Sequence, residues 1–185
     1  MNRREVLLLA AARCFVERGY TATSMRDIAA AAGMKAGSIY YHFPSKEHLF
    51  LAVYEAGVRE IGAVVQAAIE AHGDPWGRLE AACATHLTVL LAGGPLSQVI
   101  QRELPADSMA VRPRLVALRD EYEGIFTRLM GELHLPEGAN RQDLRLMLMG
   151  ALNYTHTWYR AGPETPADIA RNFVRFLRRP MEVTA

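Results

Sequence analysis

A group of hydrogen-bond donors and positive charges is concentrated in residues 24–46, which read SMRDIAAAAGMKAGSIYYHFPSK. Arginine, lysine, serine, tyrosine and histidine side chains are the donors that bind phosphate oxygens and base edges in nucleic acids. The chain offers no comparable pattern for catalysis: its histidines form no HExxH motif, and it has neither a glycine-rich phosphate loop nor a nucleophile elbow. We therefore expect binding chemistry, with no enzyme activity, cofactor or metal ion.

Two short helices joined by a turn must position these side chains. Ser24 followed by Asp27 is typical of a capping box that begins a helix, and Gly33 marks the turn after it. A second helix is predicted from residue 35 or 36 to about 43, where Pro44 ends it. Together these features indicate a helix-turn-helix.

The second helix of this motif is expected to have one buried side and one exposed side. Its buried contacts with the preceding helix are predicted to be made by Ile28, Ala29, Ala32, Ile39 and Phe43. Outward-facing residues are Ser38, Tyr41 and His42, around Gly37, which has no side chain to obstruct a groove. Tyr40 and Phe43 are also compatible with a purely structural role as core aromatics.

Residues 19–49 closely resemble the DNA-binding domain of the TetR family, whose pattern Thr-Ser/Thr-x-Arg-Asp-Ile-Ala, Ala-Gly and Gly-Ser-x-Tyr-x-His-Phe-x-x-Lys-x-x-Leu they match almost throughout. The resemblance implies phosphate or sugar contacts by Ser24, Tyr40, His42 and Lys46. It implies base contacts by Arg26, Lys35, Ala36, Gly37 and Tyr41. Where members of the family often have serine, this chain has Lys35, so its recognition helix is predicted to lack a side-chain cap.

Composition and charge are consistent with a DNA-binding protein of the cytoplasm. Half of the 185 residues are apolar, but no run of about 18 apolar residues could span a membrane and no signal peptide is evident. The two cysteines, 14 and 83, are far apart and suggest neither a disulfide framework nor a zinc site. Residues 1–47 contain seven basic and four acidic side chains, whereas the remainder has 14 basic and 16 acidic. This asymmetry favours a basic N-terminal domain followed by a nearly neutral C-terminal domain.

The chain as a whole is predicted to be all-α, with about nine helices. Residues 1–47 are expected to form the helix-turn-helix DNA-binding domain, and residues 48–185 a helical ligand-binding and dimerisation domain. The other helices are predicted at about 3–18, 46–72, 75–92, 114–133, from directly after Asn140 to about 160, and 166–179, with a short apolar stretch between residues 95 and 101.

The helix predicted at about 144–160 is apolar on nearly all sides and must be covered by more than one partner. Either the core of the same chain or a second subunit could cover it. In the TetR family the last two long helices form a dimeric four-helix bundle, and the resemblance implies a homodimer. The predicted interface residues are Leu148, Leu152, Trp158, Ile169, Phe173, Phe176 and Leu177.

Several polar side chains in apolar surroundings are candidates for a ligand pocket: His86, Gln98, Arg102, Tyr122, Asn153 and His156. Each of them could equally be a satisfied polar residue of the core or surface. One TetR branch responds to acyl-CoA thioesters in fatty-acid and sterol catabolism. The sequence of this chain is similar to that branch from Gly150 to Phe173 and in residues 35–39. If this holds, Arg102, Arg112 and Arg114 are expected to meet the phosphates of coenzyme A.

The main hypothesis is thus a repressor that binds a palindromic operator as a dimer and is released by a small-molecule inducer. A second hypothesis within the same family is a regulator of an efflux pump that responds to hydrophobic drugs. The pattern is also compatible with an activator or an architectural DNA-binding protein. An enzyme that uses the C-terminal pocket is a hypothesis from a different class, and the absence of a catalytic constellation argues against it.

Overall fold

The computed structural model describes residues 2–100 and 110–182. Within these ranges the chain forms nine α-helices and no strand, which confirms the all-α prediction. In chain order the helices are α1 (Arg3–Arg18), α2 (Met25–Ala31), α3 (Ala36–His42), α4 (Lys46–Glu70), α5 (Pro75–Ala92), α6 (Pro95–Val99), α7 (Arg112–Glu132), α8 (Arg141–Trp158) and α9 (Pro166–Glu182). None of these helices is long and apolar enough to cross a membrane.

The predicted caps of the first helices are confirmed. α1 ends at Gly19, whose φ of 80° lies in the region that glycine adopts readily. At the start of α2, the Ser24 Oγ atom accepts a hydrogen bond from the Asp27 amide at 3.2 Å. The Asp27 carboxylate in turn accepts one from the Ser24 amide at 2.9 Å, which completes the capping box.

α8 begins at Arg141, directly after Asn140, as predicted. The side chain of Asn140 accepts hydrogen bonds from the amides of Gln142 and Asp143, at 3.0 and 3.3 Å. This capped first turn is polar, and the apolar part of the helix begins only after it. α7 begins at Arg112, two residues before the predicted start, and includes Pro113 in its first turn, where a missing N–H costs no helical hydrogen bond.

The described residues divide into two compact units, one within 1–60 and 93–120 and the other within 61–92 and 121–185. In the first unit, α1 packs against α2 and α6, and α2 packs against α3. Its core also includes Val99, Val111, Leu115 and Leu118, so it extends beyond the N-terminal helices. The predicted boundary at residue 47 separates a DNA-binding domain from a ligand-binding domain by function, not by packing, and it stays a prediction.

The second unit is built around α5, which packs against α8 and α9. Its fully buried side chains include Leu79, Leu87, Phe126, Leu129 and Leu152. α9 begins with a second capping box, in which the Thr165 hydroxyl accepts from the Asp168 amide at 3.2 Å and the Asp168 carboxylate accepts from the Thr165 amide at 3.1 Å.

Candidate functional site

α3 is held by two buried side chains and exposes the rest of its surface. Ile39 is fully buried and Phe43, directly after the helix, is 5% exposed, as predicted for the contacts with α2. Tyr41 is 89% exposed and Tyr40 is 54% exposed, which excludes Tyr40 as a core residue of this chain. A tyrosine this exposed gains little from folding, so the face that carries Tyr41 is available for an external partner.

The N-terminal turn of α3 is equally open. Lys35, Ala36, Gly37 and Ser38 are all exposed, and Lys35 makes no side-chain cap, as predicted. A Cβ atom added at Gly37 would meet nothing within 4 Å. The packing of this chain therefore does not require glycine here, whereas a partner that approaches the backbone closely would.

The predicted phosphate-contacting residues differ in how far they are engaged by the chain itself. Lys46 Nζ donates to the carbonyl oxygens of Tyr20 at 3.0 Å and Thr23 at 3.1 Å, and lies 4.3 Å from the centroid of the Tyr20 ring. Two of its three N–H groups therefore fix the turn before α2, and one remains for another acceptor. Ser24 is committed to its capping box, although its side chain is exposed.

His42 of the phosphate-contacting set and two predicted base-contacting residues, Arg26 and Lys35, lie at the surface or close to it. Arg26 is exposed on α2, and His42 is half-buried with its ring edge-on to that of Tyr41, the centroids 5.4 Å apart. No carboxylate in the described ranges lies within ion-pair distance of Arg26 or Lys35. Their charges are thus available to an anionic partner.

Three of the predicted ligand-binding residues come together in the second unit. Buried His86 lies between Tyr122 and Asn153, with Nδ1 2.7 Å from the Tyr122 hydroxyl and Nε2 3.1 Å from Asn153 Oδ1. Because the amide oxygen can only accept, Nε2 of His86 carries the proton and Nδ1 accepts from Tyr122. The network joins α5, α7 and α8.

Burial keeps this network neutral. It lowers the pKa of His86 from 6.5 to about 4, against a smaller opposing effect of the hydrogen bond to Asn153. Burial also raises the pKa of the Tyr122 phenol. Phe126 packs edge-on against the His86 ring, with 5.7 Å between the ring centroids. The polar network thus has an apolar neighbour.

The other predicted ligand-binding residues do not join this network. Gln98 and Arg114 belong to the first unit, where Gln98 Nε2 donates to the Gly93 carbonyl at 3.1 Å and Arg114 Nη2 lies 3.6 Å from Glu55 Oε1. Arg112 is exposed in that unit. In the second unit, exposed His156 contacts the Asn153 carbonyl through Nδ1 at 2.7 Å. Arg102 lies outside the described residues.

The seven residues predicted at a subunit interface fall into two groups. Leu148, Leu152, Ile169 and Leu177 are buried in the core of their own unit, because α8 and α9 turn these side chains towards other helices of the unit. Phe173 is half-buried, and Trp158 and Phe176 are exposed. The exposed apolar side chains also include Met147 and Tyr154, which the predicted set omitted. Because α8 has apolar residues on nearly all sides, its sequence pattern does not indicate which of its faces is exposed.

The acid stability of the second unit provides a test of the neutral network. The unfolded chain binds a proton at His86 near pH 6.5, whereas the folded chain does so only near pH 4. Stability is therefore fully present above pH 6.5 and falls as the pH decreases towards 4, by up to about 3 kcal/mol. We expect His86→Gln to flatten this part of a urea-unfolding pH profile, and His134→Gln, at an exposed histidine, to leave it unchanged. An unaltered slope in His86→Gln would contradict the assignment.

Two family models match the chain. The model of the bacterial regulatory proteins of the tetR family matches residues 7–53, and that of the tetracyclin repressor-like C-terminal domain matches residues 72–181. The HTH-type transcriptional repressor KstR2 of Mycobacterium tuberculosis is 28% identical over 181 residues, 94% of this chain and 90% of the relative.

Solved structures share the fold along nearly the whole chain. AibR in complex with isovaleryl coenzyme A and operator DNA has a TM-score of 0.80 at 23% identity, covering 95% of this chain and 97% of that one. Superantigen pfit has a TM-score of 0.78 at 33% identity, covering 94% of this chain and 87% of that one. With both family models matched and a helix-turn-helix whose α3 is exposed, this chain belongs to the tetR family of bacterial regulatory proteins.

Proposed function

We propose that this protein is a cytoplasmic, ligand-responsive repressor that binds a palindromic operator as a homodimer and is released by a small-molecule inducer. The observation that carries the proposal is α3, anchored by buried Ile39 and Phe43 while Tyr41 is 89% exposed. One of the similar solved structures is named a superantigen, but a shared fold does not determine the function of this chain. The helix-turn-helix surface supports DNA as the partner here.

In this proposal α3 enters the major groove. Tyr41 and Ser38 are three residues apart and therefore share a helix face, with the open backbone of Gly37 beside them. Lys35, Arg26 and Lys46 supply cations around this face for the phosphate backbone. Residues 1–47 thus carry the DNA contacts.

The experiment is footprinting of the purified protein on duplex DNA that it selects from a random pool. Two recognition helices related by a two-fold axis require half-sites separated by about 34–36 Å, or a near multiple. We expect protection with dyad symmetry. Protection of a single half-site by a monomer at full affinity, or no protection at all, would contradict the proposal.

Substitutions on α3 and α4 should separate base reading from positioning. Tyr41→Ala is expected to change which operator bases are preferred, at a cost of about 1–3 kcal/mol for the best site. Lys46→Ala is expected to weaken binding to every sequence and to flatten its salt dependence, because the ammonium group contributes charge and fixes the turn before α2. Competition binding against single-base operator variants measures both effects. Unchanged preference in Tyr41→Ala would mean that Tyr41 does not face bases.

We propose an acyl-CoA thioester as the inducer class. The fold shared with AibR, whose solved complex holds isovaleryl coenzyme A, supports this class. In this chain, Asn153 is an exposed residue that uses Oδ1 for His86, and no hydrogen bond from its side-chain NH2 group is found in the described ranges. That amide can donate a hydrogen bond to a thioester carbonyl.

Titration of acyl-CoAs of different chain lengths into the protein–operator complex tests this inducer class, with free acids and free coenzyme A as controls. We expect a thioester to release the DNA, and Asn153→Leu to bind DNA normally while responding only at higher thioester concentration. Release by hydrophobic drugs and by no thioester would favour the efflux-pump hypothesis and leave the repressor proposal intact.

A further inference from the structure

The first turn of α1 lies alongside both ends of α3. Arg3 and Val6 of α1 line a concavity of about 420 Å³ together with residues 32–35 of the turn and Ser38 of α3. The next residue, Arg4, places its guanidinium carbon 5.4 Å from the centroid of the Phe43 ring, directly after α3. Arg3 therefore lies near the beginning of the recognition helix, although the helix-turn-helix sequence pattern does not include it.

The charges in this concavity are uncompensated. Arg3 and Lys35 are both exposed, and within the described ranges neither has a carboxylate at ion-pair distance. The nearest acidic residue in sequence, Glu5, accepts hydrogen bonds from Asn2, at 3.0 Å from both its backbone and its side-chain nitrogen. The concavity thus has a guanidinium, an ammonium and a hydroxyl group, and no carboxylate among its described lining residues.

Those three groups are suited to a phosphate. A guanidinium binds two phosphate oxygens at once, and lysine and serine add single hydrogen bonds. Ser38 shares a helix face with Tyr41, so a phosphate held here would flank the face that is proposed to read bases. Phosphate contacts fix the register of a recognition helix in the groove.

We infer that Arg3, with Lys35 and Ser38, binds a backbone phosphate of the operator and so positions α3. This inference rests on the proposed DNA-binding function and adds a residue outside the helix-turn-helix to it. It assigns Lys35 to a phosphate, whereas the family resemblance implies a base contact for this residue. The source of the phosphate is duplex DNA, because the concavity is open to solvent beside an exposed recognition face and does not enclose a small anion.

The test compares Arg3→Ala with Arg13→Ala, which removes the same charge from an exposed site about 15 Å further along α1. Affinity for a duplex selected by the wild-type protein is measured between about 50 and 200 mM salt. We expect Arg3→Ala to lose about tenfold in affinity and to reduce the salt slope by about 1, since one phosphate contact is lost. Arg13→Ala should stay within about twofold of wild type. Arg3→Lys should recover part of the loss, because it restores the charge but not the paired hydrogen bonds.

A double-mutant cycle with Lys35→Ala tests whether the two cations share one phosphate. We expect the losses of Arg3→Ala and Lys35→Ala to be non-additive. Equal losses in Arg3→Ala and Arg13→Ala, or no loss in Arg3→Ala while the wild type binds its duplex, would overturn the inference alone. A wild-type protein that selects no duplex would overturn the proposed function instead. Thermal unfolding of each variant shows whether the fold is intact, and alanine is a good helix former at both positions.

Discussion

In the proposed homodimer, Phe176→Glu and Trp158→Glu are each expected to convert dimer to monomer and to weaken operator binding by at least about 100-fold. Both side chains are exposed in the described chain, at 63% and 48%, so glutamate leaves the core of the second unit intact. In a dimer interface, however, the new carboxylate would be buried without a partner. Loss of the second half-site then removes the gain in affinity that comes from joining two recognition helices.

Light scattering and operator binding of the same samples measure this expectation. Gln142→Glu is the matched control, because it adds the same charge at an exposed site in the first turn of α8, where a helix tolerates negative charge. We expect the control to remain dimeric and to bind DNA normally. Intact dimers for both test variants would show that the face with Met147, Tyr154, Trp158 and Phe176 is not the interface.

The early helices were predictable because their ends are marked by local chemistry. Gly19 ends α1 through a backbone conformation, and the side chains of Ser24 and Asp27 cap α2 within four residues of sequence. The exposure of Tyr41 was predictable for the same reason, since its helix is too short to bury both neighbouring tyrosines. Such features depend on residues close together in the chain.

Contacts between distant residues could not be predicted in this way. Lys46 resembles a phosphate-binding residue in sequence, but its Nζ atom binds carbonyls that lie 26 and 23 residues earlier. His86, Tyr122 and Asn153 were each recognisable as polar residues in apolar surroundings, yet nothing in their spacing indicates that three helices bring them into one network. The packing of helices, which sequence periodicity does not specify, decides both outcomes.

α4 and α6 are also in contact although they are distant in sequence. At Gly57 the two helices approach so closely that there is no room for a side chain. A Cβ atom added at Gly57 would lie 2.5 Å from the carbonyl oxygen of Leu96 and 3.0 Å from Ile100 Cγ2. The carbonyl belongs to the backbone of α6, so it cannot rotate away, and the helix itself would have to move. α6 also packs against α1, so a displacement of α6 would disturb the core of the first unit.

Gly57→Ala is therefore expected to destabilise the protein, although alanine is the better helix former. The gain in helix propensity is about 1 kcal/mol, whereas forcing a methyl group into this space costs about 1–3 kcal/mol or more, so the clash outweighs it. Gly62→Ala is the matched control on the same helix, because a Cβ atom there meets nothing within 4 Å and only the propensity gain remains. At about 2–4 °C per kcal/mol for a chain of this size, the Tm should fall in Gly57→Ala and rise in Gly62→Ala. A Tm that rises equally in both variants would mean that α4 and α6 do not approach as closely as described.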